Sequence, residues 1–206
     1  MFALWSTLAA LSAPEKEIEM RPLSELAGQQ GPIAILCNGP SLPVDRLYEI
    51  IIPTLGMNRT WRFRSRYYLV LEAEWLSVDF QGEYFLNATT FVPKKRPQNH
   101  ARGFRVPLSY SQPYSDSIDA GFFPASTGYL ALQIVRAFGY EPIHFLGLDL
   151  GGPHFDGSDC WSGMAEHQNK YFRIAAELLP KDSVFICESP ESRCDAFPHS
   201  GWEDVA

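Results

Sequence analysis

The sequence lacks most of the short signatures that mark catalytic chemistry. Its 206 residues contain no P-loop, no G-x-G-x-x-G, no G-x-S-x-G elbow, no H-E-x-x-H, no D-x-D and no Cys/His cluster at metal-ligand spacing. A zinc hydrolase, a serine-elbow hydrolase and a P-loop nucleotidase are therefore disfavoured, and no bound metal or resident cofactor is expected. The four cysteines, Cys37, Cys160, Cys187 and Cys194, include no C-x-x-C pair. Cys37 and Cys187 stand in apolar runs, where a free thiol behaves as a small hydrophobe, so a reduced, cytoplasmic setting is expected. An excess of positive charge is missing too: the net charge of −7 speaks against a general affinity for nucleic acid or anionic membrane. Internal repeats and low-complexity tracts are absent as well.

What is present is the composition of a packed domain, 46% hydrophobic and 20% charged, at a length that suits a single unit spanning residues 1–206. Positive charge gathers locally, at Arg59, Arg62, Arg64 and Arg66 and again at Lys94, Lys95, Arg96, Arg102 and Arg105. Such clusters form either a solvated face or a rim that steers anions. Phe2 to Ala13 is apolar and uncharged, but it lacks a basic flank and is too short to span a bilayer as a helix. It reads as an amphipathic or core-docking helix, with weak contact to the inner face of a membrane as the alternative.

Ile33 to Cys37 is a continuous apolar run between Gly31-Pro32 and Asn38-Gly39-Pro40, the pattern of a strand buried on both faces. A helix from Leu42 to about Ile51 is predicted next, then strands at Thr54 to Asn58 and Tyr67 to Glu72, with weaker ones at Tyr84 to Asn87 and Thr89 to Val92. Residues 93–122, rich in Pro, Ser and Asn, read as a long loop or lid with one strand at Phe104 to Pro107. Then follow a helix from about Ala125 to Phe138 stopped by Gly139, a strand at Ile143 to Leu148, a glycine loop, a helix from about Met164 to Leu179 and a strand at Val184 to Cys187. Apolar strands alternating with helices predict a Rossmann-like three-layer α/β/α sandwich with a mostly parallel sheet.

Ligands of such sheets bind outside the carboxyl ends of the strands, so the loops there hold the candidate residues. Asn38-Gly39-Pro40-Ser41 follows the first strand, where Gly39 lets backbone approach a ligand and the next helix offers free N–H groups to a phosphate. The alternative is a tight strand-to-helix connection. Ser126-Thr127-Gly128 repeats the geometry at a second helix mouth, although a Ser there is also an ordinary cap. Asn58 and Glu72 end neighbouring strands on the same rim, and Asn is also a common turn former. Asp149 either orients a ligand or bonds the N–H groups of the glycine loop. His167 shares a stripe with Met164, Tyr171, Ile174 and Leu178, predicted to face the sheet near the cleft, as a general base or as a core histidine. His144 is expected to point from a strand into the packing, and His154 is a loop residue able to touch a phosphate.

The motifs "ILCNGPSL", "MNRT", "STGYLALQIVRAFGYEPIHFLGLDL", a helix opening on a His and "VFICESP", taken in that order, resemble the bacterial sialyltransferases of glycosyltransferase family 42. The resemblance runs from Ile33 to about Phe197. It implies a GT-A-like variant of the sandwich and metal-independent, inverting transfer of a sugar from a CMP-linked donor to a glycan acceptor. Asn38, Gly39, Pro40, Ser41 and Asn58 would hold the nucleotide, Ser126, Thr127 and Gly128 the ribose or base, and His167 would take the acceptor proton. Where that family carries phosphate-holding tyrosines this chain has Gly151 and Gly152; His154, Trp161 or an arginine of the basic segments would substitute. Glu72 stands where the family has Asn. The motifs also resemble 6-hydroxymethylpterin diphosphokinase-like proteins, which implies ATP and Mg²⁺ with Glu72, Asp149 and Asp156 as ligands. A nucleotide-binding protein without catalysis is the third reading.

Overall fold

A computed structural model describes residues 21–71, 81–88, 103–158 and 165–206. The strands are β1 Ile33–Leu36, β2 Thr54–Met57, β3 Tyr67–Val70, β4 Tyr84–Asn87, β5 Gly103–Arg105, β6 Ile143–Leu146, β7 Val184–Cys187 and β8 His199–Ser200; the α-helices are α1 Thr127–Phe138 and α2 Ala165–Leu178. The strands make one sheet in the order β5-β4-β3-β2-β1-β6-β7-β8, with every pairing parallel. The fold is thus the parallel α/β arrangement that the alternating runs predict. The central strands are buried on both faces because their sequences, IAIL, YYLV and IHFL, are apolar on both sides apart from His144, which is itself buried.

The two faces are covered differently. Ile33, Ile35, Leu55, Tyr67, Leu69, Ile143, Phe145 and Ile186 point to the face on which α1 and α2 pack. Ala34, Leu36, Leu146 and Cys187 point to the other, where Leu42, Trp202 and Val205 cover them, flanked by Leu47, Ile50 and Phe155. Among the described residues, that second layer holds 3-10 turns and the C-terminal segment where α-helices are expected. The helix predicted from Leu42 to Ile51 is a 3-10 helix of six residues, Val44–Glu49. The reason is tertiary. Ser41 gives its N–H to Asp149 and Leu42 is buried, so the chain is free to coil only past Pro43, and the Ile51 N–H already bonds the Val205 carbonyl.

α1 starts and stops as its sequence dictates. Ser126 caps it by accepting from the Tyr129 N–H at 3.2 Å, and Gly139 ends it in the left-handed region at φ 102°. α2 is anchored by Phe172, whose ring meets Tyr129 and Phe145 edge-on at 5.6 Å and Phe197 at 6.0 Å. Burying such a side chain contributes about 1.5–3 kcal/mol. The stripe predicted through His167 and Leu178 is not the buried one: His167 is exposed and Leu178 is 63% exposed, while Asn169, Phe172, Ala175 and Leu179 face inward. Asn169 takes a core position because its amide bonds the Arg193 carbonyl and the Asp195 N–H at 3.1 and 3.4 Å. The short β8 has no counterpart in the sequence reading. The strand predicted at Thr89 to Val92, the N-terminal helix, Cys160 and residues 93–102 lie outside the described residues.

Candidate functional site

Strand order reverses at β1. The chain runs outward from β1 through β2 to β5, returns by α1, and adds β6 to the other side of β1. In open α/β sheets the crevice at such a reversal, outside the carboxyl ends, is where ligands lie. Here the loops beyond β1 and β6 border it, with β2 and the mouth of α1 alongside.

Asp149, beyond β6 and 7% exposed, closes one side of this crevice. Its carboxylate accepts the Ser41 N–H at 2.8 Å, the Ser41 hydroxyl at 2.6 Å and the Ser189 hydroxyl, so one side chain ties the ends of β1, β6 and β7 together. Among the described residues the Asp149 carboxylate is bonded by Ser41 and Ser189, not by the N–H groups of the glycine loop. The first predicted helix mouth is altered accordingly. A protein carboxylate already takes the Ser41 N–H, and no α-helix begins there. Gly39 bonds its N–H to the Gly147 carbonyl at 2.9 Å, and a Cβ at this position would lie 2.2 Å from Asp149 Oδ2 and 2.5 Å from the Gly147 oxygen. Its missing side chain admits Asp149 and the β6 backbone. Pro40 lies beside the same turn, near Gly152.

The second mouth is formed as expected. Asn58, just past β2, sits in the left-handed region at φ 44° and donates from Nδ2 to the Thr127 hydroxyl at 3.2 Å. Asn tolerates that conformation better than most residues. It is 5% exposed, and its Oδ1 is buried and accepts no hydrogen bond. The Asn38 Oδ1 is likewise buried and unbonded. Leu36 pairs with Gly56 in the sheet register, and two residues further along each strand stand Asn38 and Asn58. A buried acceptor left unbonded costs about 1–3 kcal/mol, so two of them at adjacent strand ends call for donors. Ser126 is spent on its cap, whereas Thr127 and Gly128 are the first residues of α1, whose N–H groups precede the first intrahelical donor. Gly128 closes the floor against Phe172, Cys37 and Leu148.

The loop after β6 folds across the β1 turn. The Phe155 N–H bonds the Asn38 carbonyl at 2.9 Å, the Phe155 ring meets Phe63 at 5.6 Å, and Asp156 pairs with Arg59 at 3.2 Å. The Ser158 hydroxyl and Arg59 hold the Asp156 carboxyl down to about 2. His154 lies in this loop, its N–H on the Ser158 carbonyl. Asp149 and Asp156, which the diphosphokinase reading joins as metal ligands, are thus engaged with different protein groups. Arg59 is committed to the loop, while Arg62 and Arg66 stack on Trp61 and Tyr67.

His167 opens α2 at the same sheet edge. Its ring meets Tyr171 edge-on at 5.1 Å, and Tyr171 lies 5.7 Å from Tyr129 in the first turn of α1. An exposed imidazole two rings from the α1 mouth is accessible to a substrate. His144 points into the second-face packing, stacked on Phe185 at 5.4 Å, and burial lowers its pKa. Burial, with Asp149 nearby, raises the Cys37 thiol well above its ordinary value and suits it to packing. Sequence reasoning missed Ser189, the third member of the Asp149 cluster; its only signal is a Ser just past an apolar strand. Glu72 and Trp161 lie outside the described residues.

These features define a class: a parallel α/β protein whose strand-order reversal at β1/β6 is bordered by two buried, unbonded amide oxygens and the mouth of α1. Comparison with protein-family models, curated proteins and solved structures finds no significant match to this chain. Among the described residues, no helix is long and apolar enough to cross a membrane.

Proposed function

We propose that the chain is a sialyltransferase-like glycosyltransferase that binds a CMP-linked sugar in the β1/β6 crevice and transfers it to an acceptor hydroxyl. The carrying observation is the pair Asn58 and Thr127, with the unbonded Oδ1 atoms of Asn58 and Asn38 beside the free N–H groups of α1. Such a site takes a ligand that gives hydrogen-bond donors to the amide oxygens and acceptors to the helix mouth, as a polar heterocycle on a ribose does. The motif resemblance supplies the cytidine.

In the proposed step, His167 accepts the proton of the acceptor hydroxyl as that oxygen attacks the anomeric carbon. The bond from this carbon to the phosphate oxygen breaks, and its electron pair leaves with CMP. Proton transfer of this kind contributes about 10²–10⁴-fold to rate. His167→Ala is therefore expected to lower transfer by about that factor while leaving CMP affinity within about twofold. Transfer at the wild-type rate in that variant would remove His167 from the mechanism. ATP turnover that needs Mg²⁺ would replace the proposal with pyrophosphoryl transfer.

A further inference from the structure

After β6, where the family that the motifs resemble carries phosphate-holding tyrosines, this chain has Gly151 and Gly152. Gly151 is nevertheless in close contact. A Cβ on it would lie 3.0 Å from Cζ and 3.1 Å from Nε and Nη1 of Arg193, so the guanidinium rests on the glycine backbone. Gly151 is not among the residues with positive φ, and its lack of a side chain serves space alone.

Arg193 itself is held by its main chain. Its N–H bonds the Asp149 carbonyl at 2.9 Å, its carbonyl accepts from Asn169 Nδ2 at 3.1 Å, and the preceding Ser192 hydroxyl bonds the Leu148 carbonyl. Leu148 in turn lies beside Gly128 at the α1 mouth, 3.9 Å from where a Cβ there would stand. The guanidinium, by contrast, is exposed and forms no ion pair or hydrogen bond with the described residues. Three nearby carboxylates are engaged elsewhere: Asp149 with Ser41 and Ser189, Asp195 with Arg173, Glu188 with Arg46. A planar cation fixed at its root, with its fork unspent at the carboxyl edge of the sheet, has the form of an oxyanion receptor.

We propose that Arg193, seated on Gly151, binds the phosphate of the nucleotide and neutralises its charge as the sugar bond breaks. The inference rests on the crevice being a nucleotide monophosphate site, and it replaces the missing tyrosines with an arginine from the β7–β8 connection. It also explains Gly151 as the residue that lets the guanidinium lie flat.

The test compares CMP, cytidine and inorganic pyrophosphate by calorimetry on the full chain and on Arg193→Gln and Gly151→Ala. Arg193→Gln changes a side chain that makes no hydrogen bond or ion pair with the described residues, and the nearest atoms to the Gly151→Ala methyl belong to the flexible end of that same side chain, so both variants are expected to fold. CMP should bind more tightly than cytidine to the wild type. Each variant should lose about 10- to 100-fold in CMP and pyrophosphate affinity with cytidine unchanged. Equal affinity of the wild type for CMP and cytidine would overturn the proposal, as would CMP affinity unchanged in Arg193→Gln. Pyrophosphate binding that depends on Arg193, with no binding of cytidine or CMP, would keep the anion site and overturn the nucleotide reading instead.

Discussion

Gly39→Ala is the substitution that most directly probes how the crevice is held together. The new methyl would stand 2.2 Å from Asp149 Oδ2 and 2.5 Å from the Gly147 carbonyl oxygen, both far inside contact distance. The carboxylate can swing away, at the cost of its bonds to Ser41 and Ser189, but the Gly147 backbone belongs to the end of β6 and cannot. Overpacking costs about 1–3 kcal/mol and disrupting hydrogen bonds to a charged group about 1.5–3 kcal/mol, which together give roughly 2.5–6 kcal/mol. In a chain of this length that lowers the melting temperature by roughly 5–24 °C. The assay is urea unfolding of the wild type, Gly39→Ala, Asp149→Ala and the double variant. Once Asp149 is gone, only the backbone clash remains, so Gly39→Ala should cost about 1–3 kcal/mol in that background. Strictly additive effects, to within about 0.5 kcal/mol, would refute the contact between these residues.

Asn58→Gly keeps the left-handed backbone at φ 44° and removes the amide; stability should change by less than about 1 kcal/mol, while CMP affinity falls at least tenfold, roughly the value of one well-made hydrogen bond. Unchanged affinity would take Asn58 out of the site. His144 provides a pH dependence whose sign follows from its lowered folded pKa. Below about 6.5 the unfolded chain binds a proton that the folded chain does not, so stability falls as pH drops through that range. The urea midpoint of the wild type should decline between pH 7.5 and 5.5 more steeply than that of His144→Gln, and parallel declines would contradict the burial of the neutral imidazole.

The sheet was legible because its strands are short apolar runs with turn residues on either side, and β4 and β7 fall on the predicted residues. α1 was legible for the same reason, with Ser126 and Gly139 marking its ends. The 3-10 helix at Val44–Glu49 was not, since what stops an α-helix there is Asp149, more than a hundred residues away in the chain. The stripe through His167 failed on tertiary grounds too: Asn169 is polar, yet it faces inward because the Arg193 and Asp195 backbone waits for it. At the crevice, residue types were readable and pairings were not. Asn58 meeting Thr127, or Ser41 and Ser189 sharing Asp149, are contacts between distant segments that local pattern does not encode.

The most direct test of the central claim is calorimetric titration of the wild-type chain with CMP, in EDTA and then in Mg²⁺, with ATP as the competing ligand. The account predicts saturable CMP binding that is the same in both buffers and tighter than that of ATP. No binding of CMP, or binding of ATP that requires Mg²⁺, would contradict it.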